Sequence, residues 1–301
     1  MQKGCFIVSK HEWIHNFFDL YLSGNFKEAY KVKWENKPGE GKLYQYRSLK
    51  TAASLAWLFD LIKTGRMYHA PVDELNDPFD TDSILNLDRK KLTDYLEDGK
   101  AIKREWFEQI LALPTYEETN RNADWYNNEL KDAFIALDAH LKKWGNPALA
   151  VRKFNTRLSQ LLCLLKVASF TEKNDNLTMW SHYADNHKGV CLEFSIRRLD
   201  KKIFNEGIFP VRYENELPNA LDFLFNSLKS GKAPSYGVLS LFCAMHKLDS
   251  WSYEEEWRSI SMECSVSGNE IMSANYVLSK IEGSKEDFCQ PSRIILGHNY
   301  R

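Results

Sequence analysis

The feature that most constrains the fold is a long helical block that separates two groups of strand-like segments. From about residue 88 to residue 166 nearly every local signal is helical, with breaks at Gly99 and Pro114. Segments typical of strands lie before this block, as at Leu43–Tyr46, and again after it. The sheet must therefore be assembled from parts that are far apart along the chain, which favours an α+β fold.

Hydrophobic periodicity predicts the individual elements. Strands are predicted at 43–46, 67–70, 167–171, 190–194, 209–213, 251–262 and 293–296. Helices are predicted at 10–33, 51–64, 177–185, 216–230 and 236–247. Gly24 breaks the first helix, and Gly65 suits the C-cap of the second.

We interpret residues 1–40 as an N-terminal helical extension and residues 41–301 as a single α+β domain, interrupted by an all-helical insertion at 88–166. The apolar stripes of the insertion are narrow and it carries no clustered chemistry. It therefore needs the rest of the protein to bury against. The sheet itself is expected to be split and antiparallel or mixed.

Composition excludes several classes of protein. The chain has 40 Lys and Arg against 41 Asp and Glu, a formal net charge of -1, which argues against a dedicated polyanion binder. No apolar run approaches the roughly 18 residues of a membrane span, and the apolar patch within the first ten residues is too short for a signal peptide. Six scattered cysteines without a Cys-x-x-Cys pair are expected to be reduced thiols. We expect a cytoplasmic protein with no membrane partner.

Four segments carry most of the candidate chemistry. They are Tyr44-x-Tyr46-Arg47-Ser48, Asn76-Asp-Pro-Phe79, Trp180 to Phe194, and Trp251-x-Tyr253-Glu-Glu-Glu256-Trp-Arg258. On these segments the sequence resembles a large bacterial family catalogued as a domain of unknown function, number 2971. The resemblance covers most of the chain outside the first 40 residues and the insertion. Family members often continue past the equivalent of Ile294–Gly297 by a helix and a strand, so an edge of the sheet is expected to be missing or differently covered here.

The last of these segments has two acids and one base at alternate positions. If residues 251–260 form a strand, Glu254, Glu256 and Arg258 share one face. The two carboxylates would lie about 7 Å apart, close enough to contact one small ligand and to raise each other's pKa. The alternative is a half-exposed strand whose charged face is simply solvated.

The order of polar residues along the predicted strands resembles that of the Arg-Ser-Glu group of ADP-ribosyltransferases. Arg47 ends the first strand, Ser169 and Thr171 flank Phe170 on a middle strand, and Glu254-x-Glu256 lies on a late one. The resemblance implies a split sheet that holds NAD, as substrate, in a cleft. It implies that the arginine binds phosphate and ribose, that the Ser and Thr positions brace the cleft, and that the last glutamate contacts the nicotinamide ribose.

Each residue type suits that chemistry. Breaking the bond between nicotinamide and ribose passes through an oxocarbenium-like state, so Glu256 is expected to bind the ribose 2'-hydroxyl and to face the developing positive charge. Glu254 is expected to orient the nucleophile or accept its proton. Arg47, followed by Ser48, has a planar fork that suits phosphate oxygens. Tyr46 or Tyr68 offers an aromatic face to the nicotinamide.

The segment from Trp180 to Phe194 contains two histidines. His182 either hydrogen-bonds to backbone inside the core or lines the cleft and binds the adenine or the acceptor. His182 and His187 are five residues apart and would face different sides of a helix, so a shared zinc ion is not expected. The acids and the amide of Asn76–Asp80 are expected to cap a Pro-fixed turn, and no metal site is predicted there.

The leading hypothesis is an NAD-dependent ADP-ribosyltransferase or NAD glycohydrolase, acting as a bacterial toxin or phage-defence effector. Its acceptor would be a nucleic acid or a protein, and an antitoxin or a defence-system protein would be its partner. The alternative is a non-catalytic ligand-sensing or protein-interaction module. A weaker option is a nuclease that uses His182, His187 and Glu193 with a metal.

Overall fold

The structure is a computed structural model. It describes residues 12–65, 67–72, 75, 94, 101–113, 125–144, 149, 152–154, 156, 165–199, 201–234, 236–262 and 290–299. The predicted turn at Asn76–Asp80 and the breaks at Gly99 and Pro114 lie outside these residues. The two cysteines that lie within them, Cys191 and Cys243, are buried and free.

The strands form two sheets. They are β1 Lys42–Arg47, β2 Ala70–Pro71, β3 Leu165–Thr171, β4 Val190–Ser195, β5 Ile208–Pro210, β6 Arg212–Glu214, β7 His246–Leu248, β8 Glu256–Met262 and β9 Arg293–Leu296. A seven-stranded sheet has the order β5-β8-β3-β1-β4-β9, with β2 beside β3, and its strand pairs are antiparallel. β6 and β7 form a separate parallel pair. The prediction of an α+β fold with a mostly antiparallel sheet is confirmed.

The described residues also form α-helices. They are α1 Glu12–Leu22, α2 Phe26–Glu35, α3 Ala52–Thr64, α4 Arg104–Leu111, α5 Trp125–Trp144, α6 Leu177–Tyr183, α7 Lys201–Gly207, α8 Ala220–Lys229 and α9 Tyr236–Ala244. Within the helical block, Trp106 of α4 and Phe134 of α5 pack against Phe225 of α8. Among the described helices, none combines the length and the apolar character needed to cross a membrane.

The main sheet is held together weakly at one place. β1 pairs with β4 over six residues and β3 pairs with β8 over seven. By contrast, β1 and β3 share a single backbone pair, Tyr44 opposite Thr171. Beyond that pair the side-chain amide of Gln45 reaches across to the carbonyl of Ser169 at 3.0 Å. The sheet is therefore split between its two central strands.

Helix α3 shows how local sequence fixes an element. Thr51 caps its start by accepting a bond from the backbone of Ser54, and Ser54 accepts one from the backbone of Thr51 in return. This reciprocal capping box satisfies two amides that a helix start would otherwise leave unpaired. Gly65 ends the helix in the left-handed conformation, with φ +67, as the sequence predicts.

The predicted strand at 251–262 is wrong in its first half. Residues Asp249–Glu254 form a 3-10 helix, and Glu255 follows in the left-handed region with φ +42. The strand β8 begins only at Glu256. The strand interpretation placed Trp251, Tyr253 and Trp257 on one face and Glu254, Glu256 and Arg258 on the other, but ladder pairing with β3 begins only at Glu256.

Two other elements predicted as continuous are each two elements in the structure. The helix predicted at 10–33 is two helices, with Gly24 at φ +84 between them. The strand predicted at 209–213 is two strands, because Val211 donates to Glu256 whereas Arg212 donates to Met245. The chain thus leaves the main sheet at Val211 and enters the small one.

A buried lysine joins the N-terminal helices to the sheet domain. Lys33 of α2 is fully buried, and its Nζ donates to the carbonyls of Phe204, Asn205 and Ile208 at 3.1, 2.5 and 2.7 Å. Its Nζ also lies 4.3 Å from the centroid of the Phe209 ring. Burial lowers the pKa of Lys33, whereas three carbonyl acceptors match the three donors of an ammonium group. The side chain satisfies carbonyls at the end of α7, where a cation is favoured.

Lys33→Met is expected to lower the free energy of unfolding by about 2–4 kcal/mol, because three buried carbonyls lose their donor. Urea denaturation measures this change. Lys31→Met is the matched control, since Lys31 lies on the same helix with a 64% exposed side chain. Its effect should stay within about 0.5 kcal/mol, and equal effects of the two substitutions would contradict the role of Lys33.

Candidate functional site

A cleft opens where β1 and β3 part. It encloses about 220 Å³, somewhat less than the roughly 300–1,000 Å³ of typical small-molecule sites. Aromatic rings and charges of both signs share its walls. The lining residues are Tyr44, Gln45, Tyr46, Arg47, Tyr68, Ala70, Leu75, Val167, Ser169, Phe170, Thr171, Met179, Tyr183, Lys247, Glu254, Glu256 and Arg258.

The register of β3 and β8 aligns the polar residues of the cleft. Ser169 lies opposite Arg258, and Thr171 lies opposite Glu256. Directly opposed residues of antiparallel strands project from the same face of a sheet. These four side chains therefore share one face, and Tyr44 of β1 joins them opposite Thr171.

Four buried charges form one network on this face. The Nε and Nη2 of Arg258 donate to the two oxygens of Glu256 at 2.9 and 3.1 Å. The Nζ of Lys247 donates to Oε2 of Glu254 at 2.7 Å and to Oε2 of Glu256 at 3.3 Å. None of the four side chains is more than 5% exposed. The alternative of a solvated Glu-x-Glu-x-Arg face is therefore wrong.

The environment separates the pKa values of the two carboxyl groups. Burial alone would raise the pKa of Glu256, but Arg258, Lys247 and a hydrogen bond from Ser169 outweigh burial and hold it at about 2. Burial, followed by repulsion from Glu256, raises the pKa of Glu254. Two acids whose environments push their pKa values apart are suited to different roles in a reaction.

Two tyrosines support the carboxylates. The hydroxyl of Tyr183, at the end of α6, donates to Oε1 of Glu254 at 2.5 Å. The hydroxyl of Tyr213, on β6, accepts a bond from the backbone amide of Glu256 at 2.8 Å. Burial and the nearby Glu256 carboxylate raise the pKa of Tyr213. Tyr213 therefore stays protonated, and the two hydroxyls hold the acids in place through these hydrogen bonds.

Arg47 is one of the residues that line the cleft, at the end of β1. Its Cζ lies 4.6 Å from the centroid of the Trp57 ring, and burial lowers its pKa to about 10. Within the described part of the chain, its Nε and the neighbouring Trp57 Nε1 are buried without acceptors, and Oε1 of Gln45 is buried without a donor. Buried polar atoms of native proteins nearly always have partners.

The two tyrosines predicted to offer a ring differ in what they contact. The hydroxyl of Tyr46 donates to the carbonyl of Lys173 at 3.0 Å and accepts from the amide of Asn176 at 3.3 Å. Its ring meets Trp180 edge to face at 5.0 Å. Tyr46 thus holds the start of α6 over the cleft as well as lining it. Tyr68 also lines the cleft.

Two predicted site residues lie away from the others. Ser48 accepts a hydrogen bond from the amide of Lys50 at 3.3 Å, which is a local turn. His182 is exposed, with Nδ1 3.5 Å from the hydroxyl of Tyr253. Neither residue lines the cleft. The buried, backbone-bonded alternative for His182 does not hold either.

Sequence reasoning missed Lys247 and gave Tyr183 no role in the acid pair. Lys247 falls at the end of a run that reads as helix, from 236 to 247, whereas the helix ends at Ala244 and β7 follows. A lone lysine in an apolar run, seven residues before Glu254, was the available signal. Buried lysines are rare unless they are paired, so an apolar setting for Lys247 pointed to an acidic partner.

The turn after α6 fixes the end of β1. Asp185, Asn186 and His187 are all left-handed, with φ values of +49, +52 and +66. Gly189 follows, and a Cβ there would lie 2.2 Å from the carbonyl oxygen of Arg47. Only glycine allows this approach. A side chain at position 189 would therefore displace the backbone at Arg47, the last residue of β1.

The residues of the nuclease option do not come together. The ring of His187 stacks on Trp180, with centroids 6.0 Å apart, while Glu193 pairs with Lys42 and Arg293. Over the described parts of the chain, no group of three or more His, Cys, Asp or Glu residues is able to hold a metal ion.

A family model described as a protein of unknown function (DUF2971) matches residues 179–259. This stretch contains Tyr183, Lys247 and the two carboxylates of the cleft, but neither Arg47 nor Ser169. It is shorter than the resemblance expected from the sequence. Neither the curated proteins nor the solved structures contain a match to the chain.

The Glu256 ion pairs make stability depend on acidity. Because the pKa of Glu256 is depressed from 4.5 to about 2, its contribution is complete above about pH 4.5 and is lost as the pH falls towards 2. We expect Glu256→Gln to lower the free energy of unfolding at pH 7 by on the order of 3 kcal/mol. The difference from wild type should shrink steadily below pH 4.5.

Urea denaturation from pH 7 to pH 2.5 measures both effects. Glu216→Gln provides the control, since Glu216 is exposed. A gap between wild type and Glu256→Gln that stays constant down to pH 2.5 would show that the carboxylate is not held ionised by its neighbours.

Proposed function

We propose that the protein binds NAD in this cleft and breaks the bond between nicotinamide and ribose, as an ADP-ribosyltransferase or an NAD glycohydrolase. One observation carries the proposal. Arg47 and two carboxyl groups with separated pKa values line the same cleft, at the split between β1 and β3.

The charges of the cleft suit the charges of NAD. A pyrophosphate needs cationic donors, and Arg47 provides a planar fork that suits two phosphate oxygens. The nicotinamide ring of NAD is cationic, and the carboxylates of Glu254 and Glu256 favour it electrostatically. The tyrosine rings of the walls provide flat apolar surface for stacking. β3, which carries Ser169 and Thr171, lies between β1 and β8 in the sheet, so the three strands that carry the polar residues are neighbours, as the proposal requires.

The reaction divides between the two acids. The bond from ribose C1' to the nicotinamide nitrogen breaks, and both electrons stay on that nitrogen, which leaves as neutral nicotinamide. Glu256, ionised at any ordinary pH, stabilises the positive charge on C1' and binds the 2'-hydroxyl. As the oxygen or nitrogen atom of the nucleophile bonds to C1', Glu254 accepts the proton that this atom loses. Water as nucleophile gives ADP-ribose, and an acceptor group gives a transferred product.

The biological setting follows as part of the same proposal. The acceptor would be a nucleic acid or a protein, and the protein would act in the cytoplasm as a toxin or a phage-defence effector restrained by a partner protein. Incubation with labelled NAD and separate nucleic-acid and protein fractions tests for an acceptor. Binding of NAD without any nicotinamide release would favour the non-catalytic sensor.

Glu256→Gln is expected to reduce nicotinamide release from NAD by at least about 100-fold, because a neutral amide does not stabilise the developing charge. Chromatography of released nicotinamide measures the rate. Glu216→Gln should retain wild-type activity. Circular dichroism must show that Glu256→Gln is folded, and a folded variant with undiminished turnover would reject Glu256 as the catalytic carboxylate.

Arg47→Lys keeps the charge but loses the planar fork and the contact with Trp57. We expect KM for NAD to rise about tenfold while kcat changes little, since a uniform binding contribution is lost. The same substitution should weaken binding of ADP-ribose but leave binding of nicotinamide alone unchanged. Equal losses for both ligands would contradict a phosphate contact at Arg47.

A further inference from the structure

We propose that Lys247 is a positioning residue of the reaction. It holds Glu254 ionised beside Glu256, so that Glu254 is able to accept the proton of the nucleophile. The inference rests on the proposed function for its role in turnover. The coupling between Lys247 and Glu254 can be measured without turnover.

Glu254 and Glu256 need a cation between them. Both carboxylates are buried, and two like charges in such a site do not both ionise unless an opposite charge compensates them. The Nζ of Lys247 contacts one oxygen of each acid, at 2.7 and 3.3 Å. One ammonium group therefore bridges the two carboxylates.

Arg258 does not serve both acids in this way. Its Nε and Nη2 donate to Glu256, and its Nη1 donates to the carbonyl of Ala244 at 2.6 Å. Glu256 thus has a bidentate cation of its own. Across the described residues, Lys247 is the cation that forms a salt bridge with Glu254.

The position of Lys247 is fixed from several sides. It is the middle residue of β7 and pairs with Tyr213 of β6. Its Nζ lies 4.8 Å from the centroid of the Trp251 ring. A side chain held in this way loses little further freedom when it orients a carboxylate, which is what a preorganised site requires.

The other groups around Glu254 do not replace this charge. Within the described part of the chain, the titratable and charged groups that face Glu254 are Tyr183, Tyr213, Lys247, Tyr253, Glu256 and, through Glu256, Arg258. The tyrosines carry no positive charge in either protonation state, and Glu256 repels a second negative charge. Removal of Lys247 should therefore favour the protonated form of Glu254.

The first measurement is a carbon-13 NMR titration of the glutamate carboxyl groups, with the Glu254 signal identified by its absence in Glu254→Gln. Lys247→Met should raise the pKa of Glu254 by roughly one to three units relative to wild type. Lys247→Arg should restore most of the wild-type value. Lys232→Met, at an exposed lysine, should leave it unchanged. An unmoved pKa in folded Lys247→Met overturns the inference.

The second measurement is the pH dependence of kcat for nicotinamide release. The acid limb of the profile should move to higher pH in Lys247→Met by the same amount as the pKa, and Lys247→Arg should move it back. If the wild type releases nicotinamide but the acid limb of the Lys247→Met profile does not move, the role of Lys247 is rejected and the proposed function stands. No turnover by wild type rejects the proposed function, and the titration still measures the coupling.

Folding of the variants also tests the pair. If Lys247→Met fails to fold, the double variant Lys247→Met/Glu254→Gln decides the case. Recovery of folding in the double variant supports the inference, because the single variant then failed through the uncompensated charge of Glu254. A double variant that also fails to fold makes Lys247 a general structural residue and overturns the inference.

Discussion

The buried network of Lys247, Glu254, Glu256 and Arg258 is the constraint on which the site depends. Charges taken out of water are costly unless each finds partners of opposite sign in good geometry. The small parallel sheet of β6 and β7 provides such partners. β7 carries Lys247, and β6 carries Tyr213, whose hydroxyl accepts a hydrogen bond from the backbone amide of Glu256. The short strands β6 and β7, which lie outside the main sheet, therefore help the buried Glu254 and Glu256 to ionise.

The split between β1 and β3 explains why this network meets a cleft and not a packed core. One backbone pair joins the two strands, so the other backbone N–H and C=O groups along this edge need partners outside a β-ladder. The side-chain Nε2 of Gln45 donates a hydrogen bond to the carbonyl of Ser169. Among the described residues, Oε1 of Gln45 and Nε of Arg47 are buried without a partner. The split therefore leaves buried polar atoms of the described residues without partners near the cleft.

The sequence allowed the central strands and the order of polar residues to be predicted, because alternation along β1, β3 and β4 reports directly on which side chains are buried. Periodicity did not reveal what covers each face. It grouped Glu254 with Glu256 and Arg258, but it could not tell a solvated face from one buried under Lys247. It also gave Glu254 a strand conformation, because nothing in the pattern marks Glu255 as left-handed. Lys247 was missed since its apolar neighbours continue the period of α9.

The left-handed residue Glu255 has a chemical consequence. In a continuous strand, Glu254 and Glu256 would stand in register about 7 Å apart along one face, in similar surroundings. The turn at Glu255 places Glu254 at the end of a 3-10 helix, where Tyr183 donates to it, and leaves Glu256 on β8, where Arg258 holds it. Neighbours in sequence thereby acquire different partners and opposite pKa shifts. A two-residue spacing therefore gives one acid that stays ionised and another that is able to exchange a proton.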